Sequence, residues 1–146
     1  MDKISPQQRS WQMSRVGRAD TAPEMVVRRI AYALGYRYRL HDRRLPGSPD
    51  LVFRSRRKII FVHGCFWHRH EGCRRTTMPK TREDFWKAKF DANQARDCRD
   101  LEALNALGWK VLTIWECETK SGVELAKRIR VFLEDDARQN PANLDA

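Results

Sequence analysis

The stretch "FVHGCFWHRHEGC" interleaves residues of three chemistries. His63 and His68 can move protons near neutral pH. Cys65, His70 and Cys73 are soft or borderline metal ligands, and Phe66 and Trp67 are large flat apolar surfaces. Cys117, which ends "TIWEC" far along the chain, completes with Cys65, His70 and Cys73 the ligand set of a closed tetrahedral Zn2+ site. Such a site leaves no position for water and is structural, pinning a loop to the end of a strand. Buried free cysteines are the competing reading, and Cys98 is expected to be a helix-packing thiol.

Carboxylates supply the second chemistry. "SPD" places Asp50 just before one strand of an expected hairpin, and His63 leaves the end of the other, so strand pairing brings the two together. Glu24 lies in the first turn of a helix that could aim it at the same spot. Three such groups could hold a hard divalent cation through oxygen ligands and water, and that cation could activate a water against a phosphodiester. A capping role fits Glu24 equally well, and an Asp after Pro is an ordinary turn residue. Asp97 is the sharper signal, because a carboxylate on the apolar face of a helix is costly to bury without a partner. His68 is a candidate partner, which would fix the imidazole tautomer for general acid or base work; an arginine is the other.

The elements that must position these residues can be read from punctuation and periodicity. "TAPE" has capping-box spacing, and Val26, Val27, Ile30, Ala31 and Leu34 follow at helical intervals before Gly35. "YRYRL" alternates as a strand, "HDRRLPGSPD" is a loop, and "LVF" and "KIIFV" flank a basic turn at 54–58. "IIFV" is apolar without alternation and is expected to be a central strand covered on both faces. "TRED" predicts a helix from Thr81 whose buried stripe is Trp86, Phe90, Asn93, Asp97, Leu101 and Leu104. "LGWKVLTIWE" reads as a helix end at Gly108 and another buried strand, and 123–133 as a last helix. This order predicts an α/β fold with a mixed central sheet flanked by helices. Residues 1–20 read as a flexible basic arm, 21–134 as the catalytic domain and 135–146 as a disordered tail.

The chain has 146 residues, the size of one domain, and 29 basic against 19 acidic residues leave a formal charge of +10. That balance suits a polyanion better than an acidic small molecule. The N-terminal arm and the turn at 54–58 are expected to touch phosphates. No apolar run approaches the ~20 residues of a membrane span, and the N-terminus lacks a signal-peptide core, so a cytoplasmic location is expected.

Over nearly the whole ordered chain these residues resemble the very short patch repair endonucleases, which nick DNA at T:G mismatches. The motifs that carry the resemblance are "TAPE", "LPGSPD", "HGCFWHRHEGC", "TREDFWKAKFDANQARDCRD" and "LGWKVLTIWEC". It implies a restriction-endonuclease-like fold and a Mg2+-dependent cut 5′ to the mispaired thymine, the product of 5-methylcytosine deamination. It further implies that Asp50 and the backbone carbonyl of Val62 bind Mg2+, with Glu24 and His63 acting through water or phosphate contacts. His68 would handle the nucleophilic water, oriented by Asp97, while Cys65, His70, Cys73 and Cys117 would hold structural Zn2+. Phe66, Trp67 and Trp86 would enter the base stack from the major groove and Met13 from the minor groove. Implied partners are duplex DNA with a T:G mismatch and mismatch-repair proteins, with the enzyme itself a monomer. Two departures stand out: Val62 replaces the family's usual threonine, and "HRHEGC" is one residue longer than the usual loop, which bears on His70. A restriction-type nuclease reading unmodified sequence and a non-catalytic zinc-bearing DNA-binding module are the competing functions.

Overall fold

The computed structural model describes residues 20–135, so the arm with Met13 and the tail beyond 135 lie outside the described residues. Helix α1 spans Ala22–Ala33, and Thr21 caps it by accepting the Glu24 N–H at 3.3 Å. The reciprocal half of the expected box is displaced by one residue, since Glu24 Oε2 accepts from the Asp20 N–H at 2.9 Å. Four strands follow as β1 (Arg39–Leu40), β2 (Leu51–Phe53), β3 (Lys58–His63) and β4 (Lys110–Trp115). They form one sheet in the order β1-β2-β3-β4, antiparallel except for the parallel β3/β4 pair. Helix α2 (Glu83–Ala106) connects β3 to β4, and α3 (Gly122–Glu134) closes the described chain.

Alternation along the strands divides the core into two layers. Leu51, Phe53, Ile60 and Ile114 pack with Val27 and Ala31 of α1 and Leu125, Ile129 and Leu133 of α3. Val52, Ile59 and Phe61 point the other way, onto Leu104 of α2 and Trp109. The apolar run in β3 is therefore buried on both faces, as its lack of alternation predicts.

Four expectations need correction. "YRYRL" contributes only the last two residues to a strand. The expected buried strand β4 lies at the sheet's edge, and only Ile114 in it is fully buried. Helix α2 begins at Glu83 rather than Thr81, after Arg82 at φ 57, and Leu101 of its stripe is 43% exposed. The stripe drifts because α2 has two floors: its C-terminal half meets the sheet at Leu104, whereas Phe90, Asn93 and Asp97 face the loop after β3. Last, the basic turn at 54–58 is partly used internally, with Lys58 buried and Arg54, Arg56 and Arg57 exposed. Lys58 is 3% exposed and donates to the Phe132 and Leu133 carbonyls at 2.6 and 3.2 Å. Arg56 donates to the Leu133 carbonyl and Arg57 to that of Leu107. These cations satisfy the last carbonyls of α3 and α2, where the helix dipole favours them.

Candidate active site and metal centres

"LPGSPD" delivers Asp50 to the head of β2. Gly47 is at φ 78, and a Cβ there would lie 3.0 Å from both Asp100 Oδ2 and Phe61 Cζ, so only glycine lets the loop pass between β3 and α2. Asp50 Oδ2 then accepts the Val62 N–H at 2.7 Å. Glu24, 2% exposed, reaches the same point from α1. Burial first, and then a hydrogen bond to Glu24, push the Asp50 carboxyl up to about 8. For Glu24 burial acts upward as well, but hydrogen bonds from Asp50 and His41 outweigh it and hold its carboxyl below the usual range. A single proton, carried by Asp50, thus separates two carboxylates that would otherwise repel. This donor set fits a divalent cation, which would take the place of that proton.

Two cationic or titratable neighbours of this pair were not singled out in the sequence. Arg28, one turn beyond Glu24 on α1, donates to the Glu24 carboxylate and, at 2.5 Å, to Asp20. His41 lies across from Asp50, donating its backbone N–H to the Asp50 carbonyl at 3.2 Å and placing Nε2 3.0 Å from both Glu24 oxygens. The spacing of four on α1 could have pointed to Arg28. Nothing local marks His41, whose proximity arises from β1/β2 pairing.

The second group is His63, His68 and Asp97. His68 Nδ1 lies 2.6 Å from Asp97 Oδ2, so its Nδ1–H donates to the carboxylate and Nε2 is left to face the cleft. The polar residue on the α2 stripe thus has the histidine partner rather than an arginine. The His63 ring stacks on His68 with centroids 3.8 Å apart. Burial, and then the neighbouring His68, hold His63 down to about 4, so it is neutral at physiological pH. Asp50, Val62, His63, His68 and Asp97 all line one cleft of about 570 Å3. Cys98 also lines this cleft and is exposed, not packed as expected.

The cysteine cluster assembles as the spacing implied. One ligand atom each from Cys65, His70, Cys73 and Cys117 lies within 4.8 Å of the others. His70 Nδ1 sits 3.7 Å from Cys65 Sγ and 3.4 Å from Cys117 Sγ. Tetrahedral Zn2+ with Zn–S of about 2.3 Å and Zn–N of about 2.0 Å has S···N edges of about 3.5 Å, which these two distances match, so the set could hold Zn2+. Despite the longer loop, His70 is in place, stacked on Trp115 at 4.3 Å. Burial pushes the Cys65 thiol up to about 12, a cost that a bound cation would remove by taking it as thiolate.

Between these centres the loop carries its aromatics outward against α2. Phe66 meets Trp67, Trp86 and Phe90 at 5.1, 6.2 and 5.2 Å. Phe90 is the buried floor, whereas Phe66, Trp67 and Trp86 remain partly exposed, and the Trp67 carbonyl accepts from Asn93 Nδ2 at 3.3 Å. The second polar residue of the stripe therefore holds the backbone of the aromatic loop.

Compared with known proteins, the chain matches the family described as DNA mismatch endonuclease Vsr over residues 1–75. It is 48% identical over 133 residues to the type II nicking enzyme V.XorIIP of Xanthomonas oryzae pv. oryzae, covering 91% of this chain and 97% of that one. It is 41% identical over 117 residues to DNA mismatch endonuclease Vsr of Escherichia coli K12, covering 80% and 74%. With the type II nicking enzyme V.NmeAIP of Neisseria meningitidis it shares 36% over 134 residues, covering 92% and 95%. Together with the cleft these likenesses define a DNA endonuclease, a hydrolase of phosphodiester bonds. The chain belongs to the DNA mismatch endonuclease Vsr family.

Proposed function

We propose that this endonuclease makes a Mg2+-dependent nick in one strand of duplex DNA, 5′ to the thymine of a T:G mismatch, and so starts repair of deaminated 5-methylcytosine. The observation that carries the reading is that Asp50, backed by buried Glu24, and the His68–Asp97 pair line one cleft, beside a partly exposed aromatic cluster. The arrangement of acid-bearing hairpin, mixed sheet and flanking helices also supports a restriction-endonuclease-like fold.

Mg2+, when bound, stabilises charge on the phosphoryl oxygens and acidifies water. Asp50 and the Val62 carbonyl would hold it; a strand residue presents its N–H and C=O to the same neighbour, and the Val62 N–H already meets Asp50. The change from threonine costs nothing there, since the contact is made by backbone. Glu24 would act through water, its carboxylate fixed by Arg28 and His41. His68 Nε2 would accept the proton of the attacking water while Asp97 holds the tautomer and stabilises the imidazolium. Neutral His63 stacks on that ring and adds no competing positive charge. Phe66, Trp67 and Trp86 would replace base stacking beside the mismatch, at about 1 to 3 kcal/mol per base, where a mispair is cheapest to unstack. Structural Zn2+ on Cys65, His70, Cys73 and Cys117 would stiffen the loop that carries both His68 and the aromatics.

The deciding experiment compares nicking of T:G and C:G duplexes of identical flanks, with and without Mg2+. A T:G-selective, Mg2+-dependent nick is expected. Equal cutting of both duplexes would replace this reading with that of a nuclease recognising unmodified sequence.

A further inference from the structure

We propose that Arg39, Arg43, Arg44 and Arg54 form a phosphate-binding concavity that grips the DNA backbone next to the scissile bond. The proposal rests on the DNA-cleaving reading of the cleft and adds a site to it. With Leu40, His41 and Asp42 these arginines line a shallow depression of about 650 Å3 beside the strand pair β1/β2.

Its single acid, Asp42, is 9% exposed and is committed to building the surface. It accepts from the Arg44 backbone N–H at 3.0 Å and from Arg44 Nε and Nη2 at 3.1 and 3.3 Å. Arg54 Nη2 donates to its other oxygen at 3.0 Å. The two arginines hold its carboxyl down to about 2, so it is ionised throughout the working range, and one negative charge orients two guanidiniums. Most of their N–H donors still face outward, since the Arg44 and Arg54 side chains are 78% and 51% exposed. Arg39 and Arg43 are exposed on the same depression. Four guanidiniums around one committed carboxylate leave a concave, net-positive surface with planar donors, which is the recognition chemistry of phosphodiester oxygens.

Its position ties it to catalysis. His41 lines the depression while its backbone and ring contact Asp50 and Glu24. A strand whose scissile phosphate sits at Asp50 would therefore carry neighbouring phosphates across His41 onto the arginines. Of the turn at 54–58, expected from composition to touch phosphates, Arg54 belongs to this surface, whereas Lys58 is buried and Arg56 and Arg57 each direct one donor to a helix carbonyl.

The test uses the full chain and a fully paired duplex, so that its outcome is independent of mismatch preference. Each phosphate contact contributes about −0.9 to the slope of log affinity against log salt. For Arg39→Gln/Arg43→Gln/Arg44→Gln the slope is expected to shrink by about 2 to 3, with affinity at physiological salt down at least about tenfold. In nicking assays KM should rise while kcat stays near wild type. Lys127→Gln/Arg130→Gln on the outer face of α3 should leave the slope unchanged. Arg43→Gln alone, at an exposed position with no ion pair among the described residues, should remove about one unit even if the triple variant is poorly folded. Wild-type slopes for Arg43→Gln and for the folded triple variant would overturn the proposal while leaving the T:G reading untouched. Equal nicking of T:G and C:G duplexes together with the reduced slopes would do the reverse.

Discussion

The loop after β3 belongs to two centres built on opposite principles. At one end His63 and His68 join Asp50 and Asp97 in an open cleft, with Glu24 buried behind Asp50, so that like charges are crowded and one carboxyl is held protonated. At the other, Cys65, His70 and Cys73 close on Cys117 beside Trp115, with their ligand atoms within 4.8 Å of one another. On the proposed function the open centre would be relieved of its crowded charges by a cation and a phosphate, whereas the closed one has its four ligands within the chain. Reactivity would then sit where the donor set is unfinished, and rigidity where it is saturated.

Substitutions can break that contrast. The largest effect is expected for Asp50→Ala, which should lower nicking by more than about 1,000-fold, on the scale of losing metal-assisted activation, with T:G duplex binding retained. Near-normal turnover in single-turnover assays would remove Asp50 from the cation site. Asp97→Asn should cost about 100-fold in kcat with little change in KM, because the tautomer that leaves His68 Nε2 basic is no longer enforced; an equal loss in KM would mark Asp97 as a binding residue instead. Cys73→Ser should reduce bound Zn2+ from near one per chain to near zero by elemental analysis and lower the melting temperature, with nicking impaired only through the loosened loop. Fully folded, zinc-free wild-type protein would refute the closed centre.

The smallest effect is a pH dependence of stability. Asp50 has a folded value of about 8 against an ordinary 3.8, so its contribution is fully present below about pH 4 and is lost as pH rises through 8. His63, lowered from 6.5 to about 4, acts in the opposite sense: its contribution is present above 6.5 and is lost as pH falls through 4. Below about pH 6.5 the two contributions offset each other, so thermal melts of metal-free protein should show a decline between about pH 6.5 and 8 that Asp50→Asn flattens, and wild-type protein should recover stability at pH 8 when Mg2+ is added. An identical alkaline limb in wild type and Asp50→Asn would show that the crowded carboxylates do not store this energy.

Side-chain spacing made much of this legible. Asn93 and Asp97 stood out because they interrupt an apolar stripe, and both turned out to hold the loop, one through the Trp67 carbonyl and the other through His68. The hairpin and its central strand followed from an unalternated apolar run between turn signals. Edge against centre was not legible for β4, since a strand's neighbours are set by sheet order and not by its own residues. Nor was the fate of the basic turn, because a lysine that caps a distant helix reads in sequence like one that meets solvent.

Local sequence by itself determined the ligand types, the capped start of α1, the glycine-dependent turn into Asp50 and the periodic faces of the helices, all of which depend on neighbours a few residues apart. Only the tertiary structure decided that Arg28 and His41 clasp Glu24, that His63 stacks on His68, and that Asp42 gathers Arg44 and Arg54 in a depression beside β1 and β2. Those contacts join segments far apart in the chain, and their energies depend on burial and mutual charge, which exist only once the sheet has brought the segments together.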